Sequence, residues 1–130
     1  MVSKKEKIVK LLIIDDEKDI CDFIKSLFER RGFEVYTAAR DSVALKIAKA
    51  KRPDIALIDI HMKKGSGGIE ILKSLREIHP DCKCIMATWD KEKALEAVEM
   101  GAVGYVIKPN EIKDLISAVN KAVKTLNRSI

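Results

Sequence analysis

A chain of 130 residues can build one domain around a single core, and its 47% apolar and 35% charged content is that of a soluble globular protein. No apolar run approaches the roughly 20 residues of a membrane span, and the opening residues lack the pattern of a secretory leader, so the expected location is the cytoplasm. The formal charge of +5 sits at the ends, in Lys4, Lys5, Lys7 and Lys10 against Glu6, and in Lys121, Lys124 and Arg128. With 5% aromatic residues and no recognition module, nucleic acid is not an expected partner.

In chain order, β-branched apolar runs alternate with stretches of helical period. The first strand is predicted over Ile8–Ile14. A helix follows, with Ile20, Phe23, Ile24, Leu27 and Phe28 at the i, i+3, i+4, i+7, i+8 spacing of one buried stripe. Strands are then predicted over Phe33–Thr37, Ile55–Ile58, Cys82–Ala87 and Val103–Ile107, short and nearly continuous in apolar character. Helices are predicted over Ser42–Lys51, Gly68–Ile78 and Lys91–Met100, with a last one carrying Ile112, Leu115, Ile116, Val119, Val123 and Leu126 on one side.

Gly32, Pro53, the run from Gly65 to Gly68, Pro80 and Gly101 fall between elements, and Asp90 and Asn110 stand where the caps of the fourth and fifth helices belong. Strict strand–helix alternation implies an α/β fold, a parallel sheet with right-handed crossovers and helices on both faces. Three cysteines, Cys21, Cys82 and Cys84, make no even disulfide framework and read as reduced, partly buried thiols; a metal site joining them to His79 lacks a second ligand pair with zinc spacing.

Ligands of such sheets bind beyond the carboxyl ends of the strands. Those positions hold Asp15, Asp16 and Glu17, then Asp59, Thr88, Lys108 and Pro109. Singly, an acid there is often a helix cap and a lysine or threonine is often only solvated. Together, carboxylates crowded into one crevice repel one another unless a hard divalent cation with oxygen ligands sits among them, and magnesium is the natural choice. A carboxylate, a cation, a lysine and a hydroxyl facing one point suit phosphoryl transfer with an aspartate as nucleophile.

Four stretches carry a resemblance. Residues 12–17 (LIIDDE), 53–62 (PDIALIDIHM), 85–88 (IMAT) and 104–109 (GYVIKP) resemble, in order and spacing, the signatures of response-regulator receiver domains. That resemblance implies a doubly wound (βα)5, flavodoxin-like three-layer sandwich with a five-stranded parallel sheet of order 2-1-3-4-5. Residues 9–127 would be the receiver domain, and residues 1–8 a basic extension leading into the first strand.

It also implies that Asp59 accepts a phosphoryl group from the phosphohistidine of a sensor histidine kinase or phosphotransfer protein. Asp15, Asp16, Asp59 and the main-chain carbonyl of His61 would hold Mg2+. Lys108 would contact the Asp59 carboxylate and then a phosphoryl oxygen, with a cis bond to Pro109. Thr88 would swing to the phosphoryl group and Tyr105 turn inward, altering the surface of the fourth helix, fifth strand and fifth helix. The module would signal rather than turn over a substrate, to an effector protein or an appended output domain, with a homodimer through the fourth and fifth helices as a further arrangement.

The chain departs from the family at two places. Trp89 replaces a small residue after the switch threonine; its indole can shield the phosphoryl group, hinder a donor, or simply pack on the fourth helix. After Met62, the stretch Lys63–Gly68 replaces a shorter loop that begins with proline. Its four small residues imply mobility, serving either donor approach or nothing beyond loop variation. His61 and Asp90 flank the path to the phosphoryl group and are expected to tune its hydrolysis, with the His61 side chain solvated. Two rival readings are a phosphate-independent pseudo-receiver and an aspartyl-phosphate phosphohydrolase. The Asp-x-Asp pattern of the latter is absent after the first strand.

Overall fold

The computed structural model describes residues 8–109 and 111–127. Five strands, β1 (Lys10–Ile14), β2 (Glu34–Ala38), β3 (Ile55–Asp59), β4 (Lys83–Thr88) and β5 (Gly104–Ile107), form one sheet in the order β2-β1-β3-β4-β5, and every pairing is parallel. Five helices alternate with them: α1 (Lys18–Glu29), α2 (Asp41–Lys51), α3 (Gly68–Ile78), α4 (Lys91–Glu99) and α5 (Ile112–Asn127). The expected doubly wound fold and strand order are present. Strand limits differ from expectation by one or two residues, which leaves Asp59 and Thr88 as the last residues of β3 and β4 rather than the first beyond them. The basic residues 1–7 and the expected cap Asn110 lie outside the described residues.

Successive side chains of a strand point to opposite faces, and this parity divides the core in two. Leu11, Ile13, Ile55, Leu57, Ile85, Ala87 and Val106 face α1 and α5, packing with Ile24, Phe28, Leu115 and Val119. Leu12, Ile14, Ala56, Ile58, Cys84 and Met86 face the other way, against Ala44, Ala48, Ile71, Leu72, Leu75 and Ala97 of α2, α3 and α4. Phe28, fully buried, meets Phe33 edge-on at 5.2 Å between ring centroids, and its burial alone is worth roughly 2–3 kcal/mol. The small α2 and α4 faces, built on alanine, let those helices lie close to the sheet.

The third crossover depends on one glycine. At Gly68, the first residue of α3, a Cβ would stand 2.3 Å from the Asp59 carbonyl oxygen and 2.6 Å from the Ile60 Cα, and the Gly68 N–H donates to the Ile60 carbonyl at 3.1 Å. The helix start is thus seated on the backbone that carries Asp59. Because those neighbours are main chain and cannot step aside, Gly68→Ala is expected to destabilise the fold by about 1–3 kcal/mol, seen as a lower urea midpoint with an unchanged m-value.

Candidate functional site

Parity also decides which side chains share the carboxyl rim. Asp15 continues the series 11, 13, and Asp59 the series 55, 57, so both carboxylates emerge on the α1/α5 flank. Strand register sets them side by side, since Ile14 pairs with Ile58 one residue earlier. Lys108 continues from Val106 on the same flank, two strands away from β3. It reaches across β4 over Ala87, a residue too small to block it, to place Nζ 3.4 Å from Asp59 Oδ1 and 3.9 Å from Asp15 Oδ2. Its main-chain N–H is held by the Thr88 carbonyl at 2.8 Å, and the Lys108–Pro109 bond is cis.

Asp15 and Asp59 are each only 5% exposed, and Asp16 completes the cluster. Carboxylate oxygens of the three lie within 4.8 Å of one another, the only such group of potential metal-ligating side chains among the described residues. Three carboxylates gather at a rim that holds one ammonium, a formal excess of two negative charges. Burial pushes the Asp15 carboxyl above its usual range; the Glu17 N–H, donating at 2.9 Å, and Lys108 pull it back, while Asp59 adds to the rise. All-oxygen donors at this spacing, with two uncompensated charges, fit a hard divalent cation.

Thr88 belongs to the opposite parity, with Cys84 and Met86, and is fully buried. Its Oγ1 accepts from the Asp90 N–H at 2.9 Å and pairs with His61 Nε2 at 2.7 Å. The Asp90 carboxylate accepts from the N–H groups of Glu92 and Lys93, capping α4 as expected. Tyr105 is half-buried on β5, paired in register with Met86 and packed on the α2–α4 side of the core.

Three expectations change. The His61 side chain is not simply solvated: besides Thr88 it meets Trp89, the rings parallel within 10° at 4.4 Å between centroids. The Trp89 indole is 65% exposed and covers the imidazole. The stretch 63–68 is tied down despite its small residues, because Lys63 N–H donates to Asp16 Oδ2 at 2.8 Å and Ser66 gives Asp41 Oδ2 both its N–H (3.0 Å) and its hydroxyl (2.8 Å). The three cysteines are free and fully buried rather than partly so; the Cys21 thiol donates to the Asp15 carbonyl, and burial pushes it up to about 11, which keeps it protonated. His79 bonds the Pro53 carbonyl through Nε2 and joins no metal-ligand group with the cysteines.

Beside Asp59 and Lys108, on the α1/α5 flank, lies a largely apolar groove of about 690 Å³. Ile20, Phe23, Trp89, Pro109 and Ile112 line it; Phe23 and Ile112 are about half exposed, at 53% and 47%. A second apolar surface, with Val98, Val103 and Ile107 exposed, spans α4, β5 and α5. No described helix is long and apolar enough to cross a membrane.

Residues 11–120 match the family model of the response regulator receiver domain, and the chain belongs to that family. Sporulation initiation phosphotransferase F of Bacillus subtilis is 33% identical over 114 residues, covering 86% of this chain and 91% of the relative. Other curated relatives are longer, and the chain spans between 25% and 60% of their length. A receiver domain from Clostridium thermocellum superposes with a TM-score of 0.87 at 32% identity, covering 95% of this chain and all of its own. A CheY-like receiver domain protein from Methanospirillum hungatei gives 0.88 at 27% identity, with the same coverages. The chain is thus a receiver domain of two-component response regulators, a class of signalling phosphoacceptors not generally counted as enzymes, whose members generally bind Mg2+ at an acidic pocket.

Asp41 was not legible as part of this site. It begins α2, yet its carboxylate anchors the loop between β3 and α3, and those Ser66 bonds together with the Ser42 N–H hold it down from the ordinary 3.8 to about 2. A depressed folded value means that the stability it contributes is present above the unfolded value and is lost as pH falls through the folded one. Asp41→Asn is therefore expected to melt lower than the parent at pH 6, with the difference shrinking between about pH 4 and about pH 2, as followed by thermal unfolding across that range.

Proposed function

We propose that this receiver takes a phosphoryl group onto Asp59 from the phosphohistidine of a sensor histidine kinase or phosphotransfer protein, and that the change is read on the surface of α4, β5 and α5. The observation that carries this reading is the placement of Lys108 Nζ between Asp59 and Asp15, at 3.4 and 3.9 Å. An Asp59 oxygen attacks phosphorus, the P–O bond forms as the P–N bond breaks, and the electron pair leaves with the donor imidazole. Lys108 faces the oxygen that gains charge, a preorganised ammonium in a pocket of low exposure. Thr88 supplies the hydroxyl that meets the phosphoryl group on the other flank.

Asp15, Asp16 and Asp59 would hold Mg2+, with the His61 carbonyl as a further ligand. When bound, the ion offsets the carboxylate repulsion and neutralises phosphoryl oxygens. The apolar groove between α1 and α5 opens beside Asp59, which suits a helical donor that must bring its histidine to that carboxylate. Tyr105 lines the apolar α4–β5–α5 surface, the surface we assign to an effector protein, an output domain or a second copy. His61, Trp89 and Asp90 surround the Thr88 hydroxyl and would modulate the lifetime of the adduct. The expected setting is the cytoplasm, where histidine kinases present their phosphohistidine.

Incubation with magnesium and acetyl phosphate is expected to yield a labile phosphoryl adduct by intact mass spectrometry, absent from Asp59→Asn. No adduct from acetyl phosphate or from any phosphohistidine donor would reject this reading in favour of a phosphate-independent module. Magnesium alone is expected to raise the melting temperature. A concentration tenfold above Kd adds roughly 1.4 kcal/mol, and the shift should be lost in Asp15→Asn and Asp16→Asn.

A further inference from the structure

The side chain of His61 touches two groups that the phosphoacceptor reading does not connect. Its Nε2 lies 2.7 Å from Thr88 Oγ1, while its ring is stacked under Trp89 at 4.4 Å and 10°. Its backbone is fixed as well, since the His61 N–H donates to Asp59 Oδ1 at 3.0 Å. One residue is therefore bonded at the main chain to the acceptor carboxylate and at the side chain to the hydroxyl of Thr88.

A threonine hydroxyl has one proton and two acceptor lone pairs. The Asp90 N–H occupies one lone pair at 2.9 Å; the imidazole takes the proton or, as the other tautomer, donates to the second lone pair while the proton turns to the Asp90 carbonyl at 3.5 Å. In both cases Oγ1 is held on the α3/α4 flank of the sheet, opposite the flank on which Asp59 and Lys108 meet. To reach a phosphoryl group on Asp59 the hydroxyl must turn away from His61. The imidazole and the phosphoryl oxygen compete for the same atom. Trp89 decides how firmly the imidazole competes, because an indole covering the ring holds it in the one orientation that aims Nε2 at Thr88.

We propose that His61 is a positioning residue that latches Thr88 in the unphosphorylated state, with Trp89 as the plate that keeps the latch engaged. The proposal rests on the reading of Asp59 as phosphoacceptor. It assigns the bulky residue after Thr88 a role in the switching equilibrium rather than in access. A gate would alter only the rate at which a phosphoryl group arrives, whereas a latch alters the equilibrium between the two positions of Thr88, since it stabilises one state alone.

The test is the equilibrium affinity of the full chain, with magnesium, for beryllium trifluoride as a phosphoryl mimic, measured calorimetrically. His61→Phe keeps a ring for Trp89 but removes the nitrogen, and is expected to bind the mimic roughly threefold to tenfold more tightly, the equivalent of one neutral hydrogen bond. His61→Gln, whose amide can reach the Nε2 position, should return the affinity to within twofold of the parent. Trp89→Ala should move it in the same direction as His61→Phe. In a Thr88→Ala background, His61→Phe should have no effect, because the latch acts only through that hydroxyl. Unchanged affinity in His61→Phe, or an equal gain without Thr88, would overturn the latch while leaving the phosphoacceptor reading intact. A parent that neither binds the mimic nor forms the acetyl phosphate adduct would overturn both.

Discussion

The structure is organised around the burial of two aspartates beside each other at the end of a parallel sheet. Asp15 and Asp59 are almost wholly removed from water with a single lysine between them, and Asp16 joins them at the rim. A carboxylate in that position is costly unless its lone pairs are met. The surrounding chain meets them with main-chain N–H groups: Glu17 for Asp15, His61 for Asp59, Lys63 for Asp16. The loops after β1 and β3 take their shape from these bonds. Gly68 lets α3 start directly against the carbonyl of Asp59, so the loop that supplies two of the N–H groups is closed at its far end by a helix.

The sheet divides the site into two flanks with different tasks. On the α1/α5 side stand Asp15, Asp59, Lys108 and an apolar groove. On the α3/α4 side stand Thr88, His61 and Asp90, which form a hydrogen-bonded set centred on one hydroxyl. Between the flanks lies β4, whose Ala87 permits Lys108 to cross and whose next residue, Thr88, points to the opposite face. Adjacent residues of one strand thus serve opposite faces.

Much of the fold was legible because parallel strands covered on both faces are short apolar runs, and five of them alternated with helical periods. Their ends were less legible. Asp59 and Thr88 terminate strands rather than follow them, since the cost of a buried polar side chain at the last ladder position is offset by main-chain N–H groups of the loops that follow. His61 read as solvated because nothing in its neighbours along the chain reveals a hydroxyl 27 residues away. The small residues from Gly65 to Gly68 read as mobile because composition reports intrinsic freedom and not the Asp41 carboxylate, which lies 25 residues before Ser66.

Local periodicity and the point at which each strand stops set the class of fold and the residues that occupy the carboxyl rim. Only the tertiary structure decided which of those residues face one another. Parity and register set Asp15 beside Asp59 and send Thr88 behind the sheet, and contacts between distant loops aim His61 at Thr88, beneath Trp89, and Asp41 at Ser66. Such pairings depend on the relative placement of segments brought together by core packing, a long-range constraint that no window of the chain contains.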